Sequence, residues 1–210
     1  MVKTLYLVRH GQGFHNVSES QPHGNSFVKD PLLTPVGKMQ CAGLRKLFAE
    51  FHDNIDLVLA SPLRRTVQTA VLGLGPTIQR DVPILLVPKA QEISDKPCDT
   101  GTDPTGLKIS LDEIFGEQVE YGFDSSRIDY SLVEEGWNSK KGEYEASLEA
   151  TKKRADALRC WLWSRPEENI ALVTVRTPPS VYSPMACFGS FECLTPSETF
   201  KRALSQDSQR

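Results

Sequence analysis

Arg9-His10-Gly11 places a guanidinium and an imidazole side by side at the end of an apolar run, where glycine permits a turn. A second apolar run, Leu57 to Ala60, ends at Ser61 and is followed by Arg64 and Arg65 in what reads as the first turn of a helix. Backbone N–H groups at a helix start, together with its dipole, attract anions, and arginine adds a planar fork that matches phosphate oxygens. An imidazole within reach of such an anion pocket is a nucleophile for phosphorus. Either motif alone is weak, since a lone histidine at a strand end is usually structural and an arginine pair on a helix is usually a solvated face. The two in sequence, each closing an apolar run, point jointly to an anion pocket with an imidazole nucleophile in reach.

Those motifs need elements to hold them. Leu5 to Val8, Leu57 to Ala60 and Ile170 to Thr174 are short and almost continuously apolar, as strands covered on both faces must be. Helical patterns separate them. The first starts at Pro35 with Thr34 as N-cap and carries Val36, Met39, Gly43, Leu47 and Phe51 on one stripe. The second opens at Ser61-Pro62, the same cap-then-proline signal, with Leu63, Val67 and Ala70 inward. The third has Tyr144, Leu148, Thr151, Ala155, Leu158 and Leu162 along one face. Alternating strands and helices predict an α/β fold, a three-layer sandwich with a mostly parallel sheet flanked by helices. In such sheets ligands bind at the carboxyl ends of strands, where both motifs lie.

The segment 88–142 mixes Gly, Pro, Asp and Ser and reads as an excursion above the sheet, either a long functional loop or a locally helical insertion. The stretch 175–210, with Pro178-Pro179, Pro184 and Pro196, reads as an atypical tail that does not complete the fold of 1–174. At 210 residues a single domain is expected. A net charge of -3 without a polybasic signature argues against nucleic acid as a partner. Five scattered cysteines fit a reducing compartment, and with no apolar stretch of membrane-spanning length the expectation is a cytoplasmic protein that binds no membrane.

Leu7-Val8-Arg9-His10-Gly11-Gln12 with Asn16, Leu33-Thr34-Pro35-Val36-Gly37, and Ser61-Pro62-Leu63-Arg64-Arg65-Thr66 are similar in order and spacing to the histidine phosphatase superfamily, the phosphoglycerate mutase-like group. The resemblance covers about residues 1 to 174. It implies that His10 is phosphorylated in the reaction, that Arg9 and Asn16 contact the phosphoryl group, and that Arg65 is the second phosphate arginine. It also implies a leaving-group acid from the excursion, for which Glu92 is the matching position and Asp95 and Asp99 are substitutes. A dianionic phosphate beside such a carboxylate would raise its pKa, as a general acid requires. The turn Cys98-Asp99-Thr100-Gly101 is assigned a structural role. No cofactor is implied, metal binding is unsupported, and the expected partner is a small phosphorylated substrate.

The resemblance breaks at one place. The family's second catalytic histidine follows the last strand in a Thr-His-Gly context, whereas here Thr174 is followed by Val175-Arg176-Thr177. None of the remaining histidines, His15, His23 and His52, replaces it by motif. The abrupt change suggests an alternative or mispredicted terminal exon, which the intact mass of the native protein would test. Three functions follow: a phosphomonoesterase working through phosphohistidine, possessing an incomplete catalytic set; a non-catalytic phospholigand-binding module; or an inactive product. Cysteine-phosphatase, aspartyl-phosphate and Walker-type spacings do not occur.

Overall fold

The computed structural model describes residues 3–17, 27–116 and 122–175, and the backbone of 191–194. The apolar runs are strands: β1 (Lys3–Arg9), β2 (Leu57–Ala60), β3 (Ile84–Leu86), β4 (Ile128–Asp129), β5 (Asn169–Thr174) and β6 (Phe191–Leu194). They form one sheet in the order β4-β3-β2-β5-β1-β6, with every pairing parallel. Alternate side chains enter two cores, as strand geometry requires. Tyr6, Val8, Ala171 and Val173 pack into one with Phe48 and Val67, while Leu5, Leu7, Ile170 and Leu172 pack into the other with Leu158 and Leu162. Helices thus cover both faces, giving the expected α/β sandwich.

The helices are α1 (Pro35–Leu47), α2 (Arg64–Gly73), α3 (Gly75–Gln79), α4 (Pro104–Gly116) and α5 (Leu148–Ser164). The start of α1 is as expected: Thr34 Oγ1 accepts from Gly37 N at 3.0 Å and Pro35 occupies the first turn. Its buried face is only partly so: Leu47 and Phe51 of the expected stripe pack against the core. Val36 and Met39 are exposed, and the face turned inward carries Gly37 and Cys41, followed by Phe48 just past the helix end. A Cβ at Gly37 would stand 2.2 Å from the Gln12 carbonyl oxygen, so the helix docks by its smallest side chain onto the loop after β1. A stripe read from large apolar residues missed that contact.

The start of α2 also differs. Its N-cap is Leu63, without a side-chain cap bond, and the Ser61 hydroxyl is buried with no hydrogen-bond partner. Leu63, Val67 and Ala70 are fully buried as expected, but so are Arg65, Thr66, Gln68 and Thr69. This helix passes through the interior. On α5, Thr151, Ala155, Leu158 and Leu162 face inward, while Leu148 is exposed and Tyr144 belongs to a short turn before the helix.

The excursion 88–142 is partly regular, holding α4 and the edge strand β4. Within 175–210, where no strand was expected, β6 extends the sheet alongside β1. No helix among the described residues is long and apolar enough to cross a membrane. Cys41 and Cys98 are free and buried.

Candidate active site

The sheet order puts β5 between β1 and β2, so the carboxyl ends of the three strands are neighbours. His10 N donates to Thr174 O and Ser61 N to Val173 O, both at 3.0 Å, which ties the two motif-bearing turns to the end of β5. Gly11 N donates to Thr69 Oγ1 on α2 at 3.1 Å, drawing the turn after β1 towards that helix.

His10 is buried, with Nδ1 2.7 Å from the Gly11 carbonyl oxygen. A carbonyl only accepts, so Nδ1 carries the proton and Nε2 holds the free lone pair. Arg65 Nε donates to that Nε2 at 3.2 Å. Burial is the main influence on the imidazole and lowers its pKa; Arg65 adds to the effect, and the opposing pull of Glu92 does not overcome it. The ring is therefore neutral, with the nucleophilic nitrogen aimed at a guanidinium.

Arg65 is fully buried and forms the centre of the site. Its Nη1 donates to Cys98 O at 2.7 Å, and its Nη2 to Glu92 Oε1 at 3.0 Å and Asp99 Oδ1 at 3.3 Å. Asp30, also fully buried, lies 4.0 Å from Nη1. Arg64 points away, donating to Asp30 O at 2.8 Å and to Ser110 Oγ on α4 at 3.2 Å. Only one of the two adjacent arginines thus reaches His10, because successive residues on a helix point about 100° apart.

Glu92 Oε1 lies 3.8 Å from His10 Nε2, beyond hydrogen-bond reach. Burial pushes its carboxyl pKa up, but the Arg65 guanidinium against it favours the carboxylate, and the group is held below the ordinary range. Glu92 is therefore ionised in this geometry. The Glu92 backbone carbonyl accepts from Lys140 Nζ at 2.8 Å and Arg154 Nη2 at 3.4 Å. Burial, with Arg154 nearby, lowers the pKa of Lys140 to about 8.

The remaining expected residues are less central. Arg9 is exposed at the end of β1. Asn16 is also exposed, and its Oδ1 accepts from Gly13 N at 3.0 Å, closing the short turn Phe14–Asn16. Asp99 is tied to Arg65 and Ser94, and the Cys98-Asp99 turn, expected to be structural, forms the wall that orients Arg65. Sequence reasoning missed Asp30, Lys140, Arg154 and the placement of His15, whose ring centroid is 5.6 Å from that of His10. Nothing local marks them: each meets the site through a contact between residues far apart in the chain, or, for His15, through the path of a turn. Val175, at the position expected for a second histidine, is buried in the core cluster that contains Val8 and Val173. No group of three or more His, Cys, Asp or Glu placed to hold a metal occurs among the described residues.

Phosphoglycerate mutase-like protein 1 of Arabidopsis thaliana is 32% identical over 198 residues, covering 82% of this chain and 67% of that protein. A probable phosphatase of Schizosaccharomyces pombe is 29% identical over 173 residues, covering 82% of this chain and 73% of its own. Among solved structures, the ecdysone phosphate phosphatase from Bombix mori in complex with tungstate superimposes with a TM-score of 0.50 at 18% identity, covering 81% of this chain and 72% of that one, a likeness of fold. The family model for the histidine phosphatase superfamily (branch 1) matches residues 5–178. A match running from within β1 to just past β5 takes in both motif-bearing turns and most of the sheet, and the chain belongs to branch 1 of the histidine phosphatase superfamily.

Proposed function

We propose that this chain hydrolyses small phosphomonoesters through a phosphohistidine intermediate on His10. The observation that carries the reading is the tautomer: Nδ1–H is committed to Gly11 O, leaving Nε2 as the attacking lone pair beside a buried arginine. In the first step Nε2 bonds to phosphorus, the phosphorus–oxygen bond to the alcohol breaks, and Glu92 supplies the proton to the departing alkoxide. Water then attacks the phosphoimidazole, Glu92 takes back a proton, and phosphate leaves with His10 restored. Arg65 holds the transferred group's charge, with the guanidinium of Arg9 and the side-chain amide N–H of Asn16 as further donors.

Glu92 must be protonated for the first step. A bound phosphate dianion engages Arg65, weakening that arginine's support of the carboxylate while adding like charge nearby, and both changes raise the Glu92 pKa. Hydrolysis rather than mutase action is favoured because a mutase must hold and re-bind a released phospho-intermediate, for which no residues are identified. The phosphatase description of the Schizosaccharomyces pombe relative supports the same choice.

A second reading, a phospholigand-binding module without turnover, draws support from Val175. Arg9 pairs with Thr174 across β1 and β5, so the next positions, His10 and Val175, are neighbours, and an apolar side chain stands where a second imidazole would assist. Losing one such donor typically costs about 10²- to 10³-fold in turnover. The test is to incubate the protein with an aryl phosphate and quench it. An acid-labile, base-stable phosphoryl adduct that vanishes in His10→Ala is expected. An adduct persisting in His10→Ala removes His10 as nucleophile, and phosphate binding with no adduct favours the binding module.

A further inference from the structure

We infer that Asp30 is a positioning residue for phosphate binding: it sets the rotation of α2 and the place of the facing turn Pro97–Asp99, so that the Arg65 guanidinium stands beside His10. The inference rests on the reading of the pocket given above and names the residue that aims its arginine.

Helix α2 has no cap of its own, because Leu63 at its N-cap offers no side-chain acceptor. The N–H groups of a first helical turn find no partner within the helix. Asp30 supplies one from a distant part of the chain: its Oδ1 accepts from Arg64 N at 3.1 Å. A carboxylate there also meets the positive end of the helix dipole. The Asp30 carbonyl accepts from Arg64 Nε at 2.8 Å and from Arg64 Nη2, so one residue grips Arg64 at both its backbone and its guanidinium. Fixing Arg64 fixes the rotation of the helix. The next side chain leaves about 100° further round, and there Arg65 Nε meets His10 Nε2 at 3.2 Å.

Asp30 holds the opposite wall as well. Asp30 N donates to Pro97 O at 3.2 Å, at the start of the turn Pro97–Asp99. Cys98 O and Asp99 Oδ1 of that turn accept from Arg65 Nη1 and Nη2. The N–H, the carbonyl and Oδ1 of Asp30 therefore all go to the two elements between which the Arg65 guanidinium is held. The backbone at Asp30 is left-handed, with φ 42°, a conformation that suits glycine and that Asp and Asn tolerate.

Stability alone does not account for a carboxylate at this place. Asp30 is fully buried, its Oδ2 accepts no hydrogen bond, and Arg64 Nε stands 3.6 Å from that oxygen. Burying a carboxylate is costly, and an incompletely bonded ion pair adds little over apolar packing. Arg65 Nη1 lies 4.0 Å from Oδ1, beyond hydrogen-bond reach. The carboxylate thus steadies the guanidinium without occupying one of its donors.

The experiment titrates inorganic phosphate calorimetrically into the whole chain and into Asp30→Gly, Asp30→Asn, Arg64→Ala and Arg65→Ala, with urea midpoints taken alongside. At pH 8 the Asp30 carboxylate is ionised, since burial raises its pKa only to about 6 against the pull of Arg64 and Arg65. Asp30→Gly suits the left-handed backbone but removes the acceptor, and should weaken phosphate binding by about tenfold or more, as a displaced arginine would. Asp30→Asn keeps an oxygen for Arg64 N and should recover most of that loss. The ¹⁵N resonance of Arg65 Nε, bonded to His10 Nε2, should move in Asp30→Gly and return towards its parent position in Asp30→Asn. A lower urea midpoint in Asp30→Gly with phosphate affinity and that resonance unmoved would mean support of the fold alone, and overturns the assignment. Equal losses of affinity in Asp30→Gly and Asp30→Asn overturn it too. If Asp30→Gly does not fold, Arg64→Ala decides: releasing the grip on Asp30 should weaken phosphate binding by about threefold or more, and a smaller change overturns the inference. Failure of the underlying reading looks different: phosphate then binds neither the parent nor Arg65→Ala, or binds both equally, and the inference falls with it.

Discussion

At the scale of single residues, the pocket is a network of ion pairs around Arg65. Arg65 spends its donors on Glu92, Asp99, Cys98 O and His10, so an arriving phosphoryl group must compete for a guanidinium already engaged. On the proposed mechanism binding therefore couples to the proton on Glu92, since the arginine beside the carboxylate is the one proposed to take up the phosphate. Replacement of Glu92 by Gln should slow alkyl phosphates, whose alkoxides need a proton to leave, by about 10²- to 10⁴-fold. Activated aryl phosphates should lose far less, because their leaving groups depart as anions. Comparison of single-turnover rates for the two classes checks this, and equal losses would assign Glu92 to structure alone.

At the scale of elements, the site is where three parallel strands end and one buried helix begins. Helix α2 places Arg65 inward and Arg64 outward towards Asp30 and α4, and the Asp30 carboxylate also accepts from Arg64 N at 3.1 Å. Burial raises the pKa of Asp30 to about 6, against the pull of Arg64 and Arg65. The end of β5 is the weak element. Val175 is packed in the core, so Val175→His would put an imidazole into an apolar site where an unpartnered polar group is disfavoured. A catalytic imidazole must also be held within about 0.5 Å by its supporting shell. Turnover of Val175→His with an aryl phosphate should change by less than about tenfold, roughly 1.4 kcal/mol. A rise of several hundredfold would show a preformed place for the ring.

At the scale of the whole molecule, buried and half-buried histidines shape the response to acid. His10, His15 and His52 all have folded-state pKa values below the ordinary 6.5, with burial as the main cause in each. Below pH 6.5 the unfolded chain binds protons that the folded chain refuses, so stability is lost as pH falls. Asp30 acts in the opposite sense: with a folded pKa of about 6 against 3.8 unfolded, it favours the folded chain as pH drops through that window. Three groups against one predict a urea midpoint lower at pH 5 than at pH 7. The fall should be smaller in His10→Ala. A midpoint that rises on acidification would mean that Asp30 dominates.

The strands, the Thr34 cap of α1 and the motif residues were legible because each rests on local regularities: apolar runs, a cap followed by proline, an arginine next to a histidine. The sequence alone thus determined the fold class, the position of His10 at a strand end and the presence of an arginine in the following helix. It did not show which face of α1 is buried, since Gly37 docks by what it lacks and carries no apolar signal. Nor did it show the strand β6, which lies in a segment without a periodic pattern and pairs through its backbone. Only the tertiary structure brought Glu92 and Asp99 onto Arg65, Lys140 and Arg154 onto the Glu92 carbonyl, and His15 against His10. Chain separation conceals most of those pairings, and turn geometry conceals the last. The protonation state of Glu92 likewise depends on burial and on the distance to one guanidinium, quantities that exist only once the chain has folded.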